Sequence, residues 1–473
     1  MRTNTALKMP HLASKPFTAE GAEAARISDI QQLRRSVLSY LLWEDNHYED
    51  GQQIADCIRE TAQRVPVSVL AALAVEARSK FHLRHVPLYL TALLCQRARG
   101  SSLVQDTLYE VIQRADELSE FLAIYAKVNG VSPDKIKPVL SNQVRKGLAR
   151  AFGKFNDYAL AKYDQANAVR LRDVLFLCHA RPQDHAQRLL WQQLIDDSLK
   201  SPDTWEVNLS AGRDKRETFK RLLTEGKLGY LALLRNLRNM EQSGVSDTLV
   251  LAAIRARKGA ERVLPFRYVA AAKAAVRYED ALDEAFLASF SEAPKLAGKT
   301  VAVIDVSGSM YASQVSAKSD MTRVDAACAL AAILRETCEQ PVIYATAGND
   351  ATRRHKTELV PPRRGLPLAS AIFTLCRPLG GGGIFLKQAM DYIAEREKDV
   401  ARVVVITDEQ DCGIGAADSP LQAKTLGENN YLINVASHRN GIGYGQWTHL
   451  DGFSEHVIRW INEYEALEVE VQN

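Results

Sequence analysis

From about residue 27 to residue 290 the apolar positions recur three and four apart. In VSVLAALAVEARSKF, Val69, Leu70, Leu73, Ala74 and Ala77 keep helical spacing, and in HVPLYLTALLCQRA, Val86, Tyr89, Leu90, Leu93 and Leu94 do the same. Pro66, Pro87, the Asn129-Gly130 pair, Pro133, Pro182 and Pro202 separate these runs. Pro87 is expected in the first turn of its helix, where no amide hydrogen is needed. No β-branched alternating run interrupts the region. Helix pairs with a period of about 35–45 residues predict a helical-repeat array.

The pattern changes near Ala293-Pro294-Lys295. Short β-rich runs follow: TVAVIDV (300–306), PVIYATA (341–347), RVVVIT (402–407) and YLINVA (431–436). Helical stretches alternate with them, among them VDAACALAAILRETC and IFLKQAMDYIAEREK. Near-continuous apolar strands imply a sheet buried on both faces, hence a doubly wound α/β domain. Ligands of such folds sit beyond the carboxyl ends of the strands. The expected organisation is an N-terminal arm (1–26), a helical region (27–290) and an α/β domain (291–473).

Charge sharpens this division. Residues 1–300 hold 44 Lys/Arg against 35 Asp/Glu, and residues 301–473 hold 16 against 22. A basic first part, net +9, joined to an acidic second part, net −6, points to a polyanionic partner for the first. The bland alternative is ordinary drift in surface charge. No apolar run reaches the roughly 20 residues a membrane span takes, and the N-terminus lacks the apolar core of a signal peptide. Seven scattered cysteines, with no CxxC pair, suit a reducing, cytoplasmic setting rather than a disulfide framework or a structural zinc.

VAVIDVSGSMYAS, from Val301, places Asp305, Ser307 and Ser309 at alternate positions where a strand should end. One carboxylate and two hydroxyls are part of an oxygen shell for a hard divalent cation such as Mg2+. Asp408, in VVVITDEQD, ends another strand and could add a carboxylate. A strand-end turn, or nucleophilic chemistry at Ser307, are the competing readings; no His or Lys base is apparent nearby. The DxSxS pattern resembles the metal-ion-dependent adhesion site of von Willebrand factor A domains. That family also supplies a threonine from a Gly-Gly-Thr-Asp loop. Here LGGGGIFL puts Gly383 and Ile384 at those places, so a cation at this site would lack a ligand.

Several helical stretches resemble the TROVE module of the Ro autoantigen family: LRRSVLSYLLWEDNHYEDGQQI, HLRHVPLYL, QVRKGLARAFGKFNDYALAKYDQANAVRLRDVLFLCHARP, and KLGYLALLRNLRNM followed by VLPFRYVAAAKAA. The resemblance covers residues 27–465. It implies a mainly α fold, a ring of HEAT-like helical repeats, plus the doubly wound von Willebrand A-like domain. It implies binding of small structured noncoding (Y-like) RNA on the outside and of single-stranded 3′ ends of misfolded RNA in a central hole. It further implies a role in RNA quality control beside an exoribonuclease. A monomeric RNA-binding protein, without enzymatic activity, is expected.

The candidate RNA contacts follow the basic clusters. Arg145, Lys146, Arg150 and Lys154 fall within ten residues, and 146, 150 and 154 share helical spacing, which can follow a phosphate backbone. Lys162 and His179 match RNA-contacting positions of the family, while an arginine expected near Ala166 is missing. His82, Arg84 and His85 lie near a helix start; Arg235 and Arg238 flank an apolar face; Arg255, Arg257, Lys258 and Arg262 form another cluster. Aromatics do not interleave with these cations along the chain, which favours recognition by charge and shape over base stacking. The competing class is a protein-interaction scaffold that docks partners through the A-like domain.

Overall fold

The computed structural model describes residues 25–26, 28–39, 48–80, 83–164, 169–314, 321–436, 442–451, 457–458, 461 and 465. Residues 1–24 of the expected arm, together with His82 and Ala166, lie outside the described residues, as does the side chain of Arg262.

Two compact units account for the chain: residues 58–212, and residues 213–473 together with 1–57. The chain begins with a two-residue strand β1 (Ala25–Arg26), then α1 (Asp29–Ser39) and α2 (Tyr48–Ala62). The 58–212 unit is helical throughout its regular structure. It contains α3 (Val67–Ser79), α4 (His85–Arg97), α5 (Ser102–Val111), α6 (Asp116–Val128), α7 (Asn142–Phe152), α8 (Asp157–Tyr163), α9 (Leu171–Cys178), α10 (His185–Ile195) and α11 (Trp205–Ser210). Pro66 stands at the N-cap of α3, and Pro87 falls in the first turn of α4, as its sequence position predicts. Several starts are set by side chains that accept a free backbone N–H: Ser101 from Leu103, Ser141 from Val144, Asn156 from Ala159 and Asp184 from Gln187.

Helices pack pairwise in this unit, α3 on α4, α5 on α7, α4 on α6 and α7 on α9. Leu70, Leu88, Leu108, Phe121, Leu122, Val144, Leu148 and Phe152 are fully buried between them. Each such side chain contributes about 1.5–3 kcal/mol through water released from apolar surface.

The second unit continues with α12 (Lys215–Thr224), α13 (Tyr230–Gln242), α14 (Asp247–Ala256), α15 (Phe266–Ala274) and α16 (Glu279–Leu287). Tyr230, Tyr268, Phe286 and Phe290 stack through this layer with successive ring centroids 6.1, 6.4 and 5.1 Å apart. A six-stranded sheet follows, formed by β2 (Leu296–Asp305), β3 (Cys338–Asn349), β4 (Arg354–Leu359), β5 (Val400–Thr407), β6 (Asn429–Asn434) and β8 (Thr448–Asp451), in the order β4-β3-β2-β5-β6-β8. All neighbours are parallel except the β3–β4 pair. Helices α17 (Gly308–Ala312), α18 (Arg323–Thr337), α19 (Gly365–Thr374) and α20 (Leu386–Arg396) connect the strands. This is the expected doubly wound sheet, and its four interior strands are the four apolar runs.

The change from helix to sheet falls between Phe290 and Leu296. Compactness does not divide the chain there. Asp283 of α16 accepts the Leu366 N–H at 2.7 Å, and Lys273 of α15 pairs with Asp325 of α18, so α12–α16 belong to the same body as the sheet. Helix α1 packs on β8, and Ala25 and Arg26 pair antiparallel with Gly443 and Ile442 of β7 (Ile442–Gly443). The last two residues of the expected arm are therefore strand.

Candidate functional site

The sheet order places a topological switch at β2. The chain leaves β2 for β3 on one side and returns to β5 on the other, so a crevice opens where β2 and β5 end. Asp305 ends β2 and Thr407 ends β5. The Asp305 carboxylate is fully buried and already held by this chain: Oδ1 accepts the Ser307 N–H at 2.8 Å and Oδ2 accepts the Thr407 hydroxyl at 2.6 Å. Burial, and then the negative charge of Asp408, push the Asp305 pKa up to about 7; the Thr407 and Ser307 hydrogen bonds oppose that rise. The hydroxyls of Ser307 and Ser309 lie 3.3 Å apart. The four candidate metal ligands therefore gather at one place, Ser307 without a His or Lys base at its hydroxyl among the described residues.

Sequence reading missed the side chain that dominates this pocket. Arg323, the first residue of α18, donates from Nη1 to Asp408 Oδ2 at 2.7 Å. Their side chains are 5% and 0% exposed. Asp408 Oδ1 is buried with no hydrogen-bond partner among the described residues. Eighty-five positions separate the two residues, so no local spacing could announce the pair. The next residue, Glu409, is buried with φ +56°, and its carboxylate accepts from Asn434 at 2.8 Å and lies 2.8 Å from His449 Nδ1. His449 Nε2 accepts the Tyr444 N–H at 2.8 Å, which places the ring proton on Nδ1, toward Glu409. The left-handed backbone at Glu409 is held by this network.

Beside the crevice is a cavity of about 230 Å3 lined by Val306, Gly308, Tyr311, Cys376, Arg377, Gly380 and Gly381. Gly308 N–H donates to Gly382 O at 3.1 Å, and a Cβ on Gly308 would come within 2.5 Å of the Gly381 carbonyl oxygen. The glycine loop thus seats directly on the strand-end loop.

The basic candidates separate by how they are engaged. Lys146 and Arg150 of α7 and Lys154, two residues past its end, are exposed, and Lys146 has no ion-pair partner among the described residues. Arg150 pairs with Asp106 at 2.7 Å and lies 4.5 Å from the Tyr109 ring centroid. Lys154 sits 3.7 Å from the same centroid, and partial burial lowers its pKa. Arg145 turns back to the Lys137 carbonyl at 3.3 Å. Lys162 of α8 lies 5.5 Å from the Tyr163 ring. His179 is exposed at the left-handed C-cap of α9, φ +53°.

Other candidates serve the scaffold. Arg84 pairs with Asp116 at 2.6 Å and with Glu120, and His85 Nδ1 lies 3.7 Å from Glu120, so both tie α4 to α6. Arg257 occupies a left-handed C-cap, φ +49°, and donates to the Ala285 carbonyl, joining α14 to α16. Arg255 pairs with Glu284 at 2.9 Å with both side chains exposed. Arg235 is exposed on α13 with no ion-pair partner among the described residues.

The expectation that aromatics stay away from the cations holds along the sequence and fails in space. Tyr109 reaches the α7 cations from α5, and Arg114 stands 4.7 Å from the Tyr163 ring. Tyr158 on α8 and Phe176 on α9 are 53% and 57% exposed. Tyr158 and Lys162 are four residues apart on one helix face, a spacing the sequence does carry.

Comparison with known proteins finds a family likeness over part of the chain. Residues 197–363 match the TROVE domain model.

This part of the chain is similar to TROVE domains. Telomerase protein component 1 is 37% identical to the chain over 76 residues in Mus musculus and 36% over 76 in Rattus norvegicus. Those segments are 15% of this chain, which spans only 3% of each relative's length. The crystal structure of the Deinococcus radiodurans Ro (RSR) protein aligns with a TM-score of 0.61 at 20% identity, covering 90% of this chain and 97% of that one. The likeness shows the fold: a helical region followed by a doubly wound α/β domain. The TROVE match runs from α11 through β4, across the helix-to-sheet change, in keeping with α12–α16 and the sheet forming one compact unit.

Proposed function

We propose that this protein binds RNA through the α7–α8 surface of its 58–212 unit. The carrying observation is the row Lys146, Arg150 and Lys154 beside Tyr109, with the exposed Tyr158 and the half-buried Lys162 four residues apart on α8. Cations at helical spacing neutralise successive phosphates, and exposed ring faces accept unpaired bases whatever their sequence. The TROVE match at residues 197–363 and the Ro-like fold support RNA binding as the activity, without placing it on α7–α8. The target class is small structured noncoding RNA of the Y type with unpaired ends, in RNA quality control beside an exoribonuclease in the cytoplasm. The protein holds RNA and does not cleave it. Among the described residues no helix is long and apolar enough to cross a membrane.

Filter binding of structured RNA and of a single-stranded oligonucleotide, at rising salt, tests this. Affinity is expected to fall linearly on a log–log plot, with a slope near −0.9 per neutralised phosphate for duplex and about −0.7 for single strand. Absent or salt-insensitive binding would overturn it and favour a protein-docking scaffold. RNA turnover in Mg2+ would overturn the non-enzymatic reading.

A further inference from the structure

The resemblance to von Willebrand A domains implies a divalent cation at Asp305, Ser307 and Ser309, and with Arg323 in place the residues around them do not fit one. The loop that should supply a threonine oxygen is closed to it. A Cβ at Gly383 would overlap the Cys412 thiol, so no larger residue fits there, and the Gly383 N–H is fixed by Asp350 Oδ1 at 2.7 Å. Ile384 is 2% exposed and packed in the apolar core with Leu386 and Met390. Each Asp305 oxygen already accepts one hydrogen bond, from the Ser307 N–H and the Thr407 hydroxyl, which leaves it one lone pair for any further partner. The remaining carboxylate, Asp408, already has a cation on it.

We propose that the guanidinium of Arg323 is the resident cation of this pocket, standing in for a divalent metal, so that the strand-end face is built metal-free. An arginine keeps its charge at every physiological pH, and this one is buried where salt cannot screen it. A doubly charged ion at Asp305 and Ser309 would be repelled by it. Arg323 is also held in place. Thr322 and Asp325 form a capping box at the start of α18, which fixes the first turn and with it the Arg323 backbone, and Lys273 locks Asp325 from outside. Among the described residues Asp408 Oδ1 has no hydrogen-bond partner, and a metal could use it fully only if Arg323 withdrew. The inference is independent of RNA binding.

Chelator-treated full-length protein, titrated with Mn2+ to about 1 mM, the range of weak divalent sites, and followed by the paramagnetic resonance of free Mn2+, tests it. The wild type is expected to take up no stoichiometric Mn2+ and to melt at the same temperature with Mn2+ or with chelator. Arg323→Met is expected to bind one Mn2+ per chain and to lose it again when combined with Asp305→Asn. Uptake of one Mn2+ by the wild type, lost in Asp305→Asn, overturns the proposal. So does an Arg323→Met protein that folds and gains no site. Should Arg323→Met not fold, the wild-type titration still decides, and Arg323→Lys, which keeps the charge, is expected to remain metal-free; Mn2+ uptake by it would count against the proposal.

Discussion

Where β2 and β5 end, Arg323 and Asp408 meet with side chains 5% and 0% exposed; on α7, Lys146 and Arg150 are exposed at the surface, and Lys154, just past the helix, turns its ammonium onto the Tyr109 and Ile112 carbonyls. Both regions hold basic residues next to a feature that sequence reading marks as functional, yet the cations do opposite things. In the pocket the positive charge is enclosed and matched by a carboxylate, so its removal strands a buried anion. On the helix surface the charges are screened and loosely paired, so their removal leaves the fold intact and weakens attraction to a polyanion. A motif tells where oxygen or nitrogen atoms lie; burial decides whether they are open to a ligand.

The largest expected effect that could break this contrast is in the pocket. Arg323→Ala should destabilise the second unit by about 3–5 kcal/mol, the usual consequence of removing one member of a buried pair, whereas Arg150→Ala should cost less than about 1 kcal/mol. Urea unfolding midpoints measure both, and equal small shifts would erase the distinction.

A comparable effect comes from pH. Asp411 is fully buried, its oxygens accept the Leu386 and Gly413 N–H groups at 2.8 and 2.7 Å, and desolvation pushes its pKa up to about 7. In the folded chain it keeps a proton that the unfolded chain has released. Its contribution is complete below about pH 4 and lost as pH rises through about 7, a fall of roughly 4 kcal/mol. Asp411→Asn should flatten the decline of stability between those limits; an unchanged slope would contradict the assignment.

Smaller effects sharpen the surface side of the comparison. Tyr158→Ala and Phe176→Ala should each weaken single-stranded RNA binding by about 1–3 kcal/mol for each base that stacks on the ring, with little change for a blunt duplex. Equal losses on both RNAs would mean that these rings do not stack on bases. Smallest of all, Ser141→Ala should lower stability by about 1 kcal/mol through the lost cap of α7, measured by thermal melting.

How much of this was legible in the sequence depends on distance along the chain. β2, β3, β5 and β6 were readable because both faces of each are covered and the apolar run is continuous. β4 was not: it is an antiparallel edge, RHKTEL, with only Thr357 buried. β8 is four residues long and gives no period to read. Asp305, Ser307 and Ser309 were readable as a group because they lie within five positions. Arg323 was not, since its partner is 85 positions away. The α7 cations were readable from their spacing, while the ring they surround comes from α5, 45 positions before Lys154. Local periodicity shows up in sequence; contacts closed by tertiary packing do not.

The measurement that bears most directly on the central claim is the salt dependence of RNA affinity for three proteins side by side: wild type, the quadruple variant Lys146→Ala, Arg150→Ala, Lys154→Ala and Lys162→Ala, and Arg323→Lys. Wild type and Arg323→Lys should share one steep slope, and the quadruple variant should lose affinity with a slope shallower by about 0.7–0.9 for each phosphate contact removed. A quadruple variant that binds RNA with the wild-type affinity and slope would contradict the claim that the α7–α8 surface is where RNA is held.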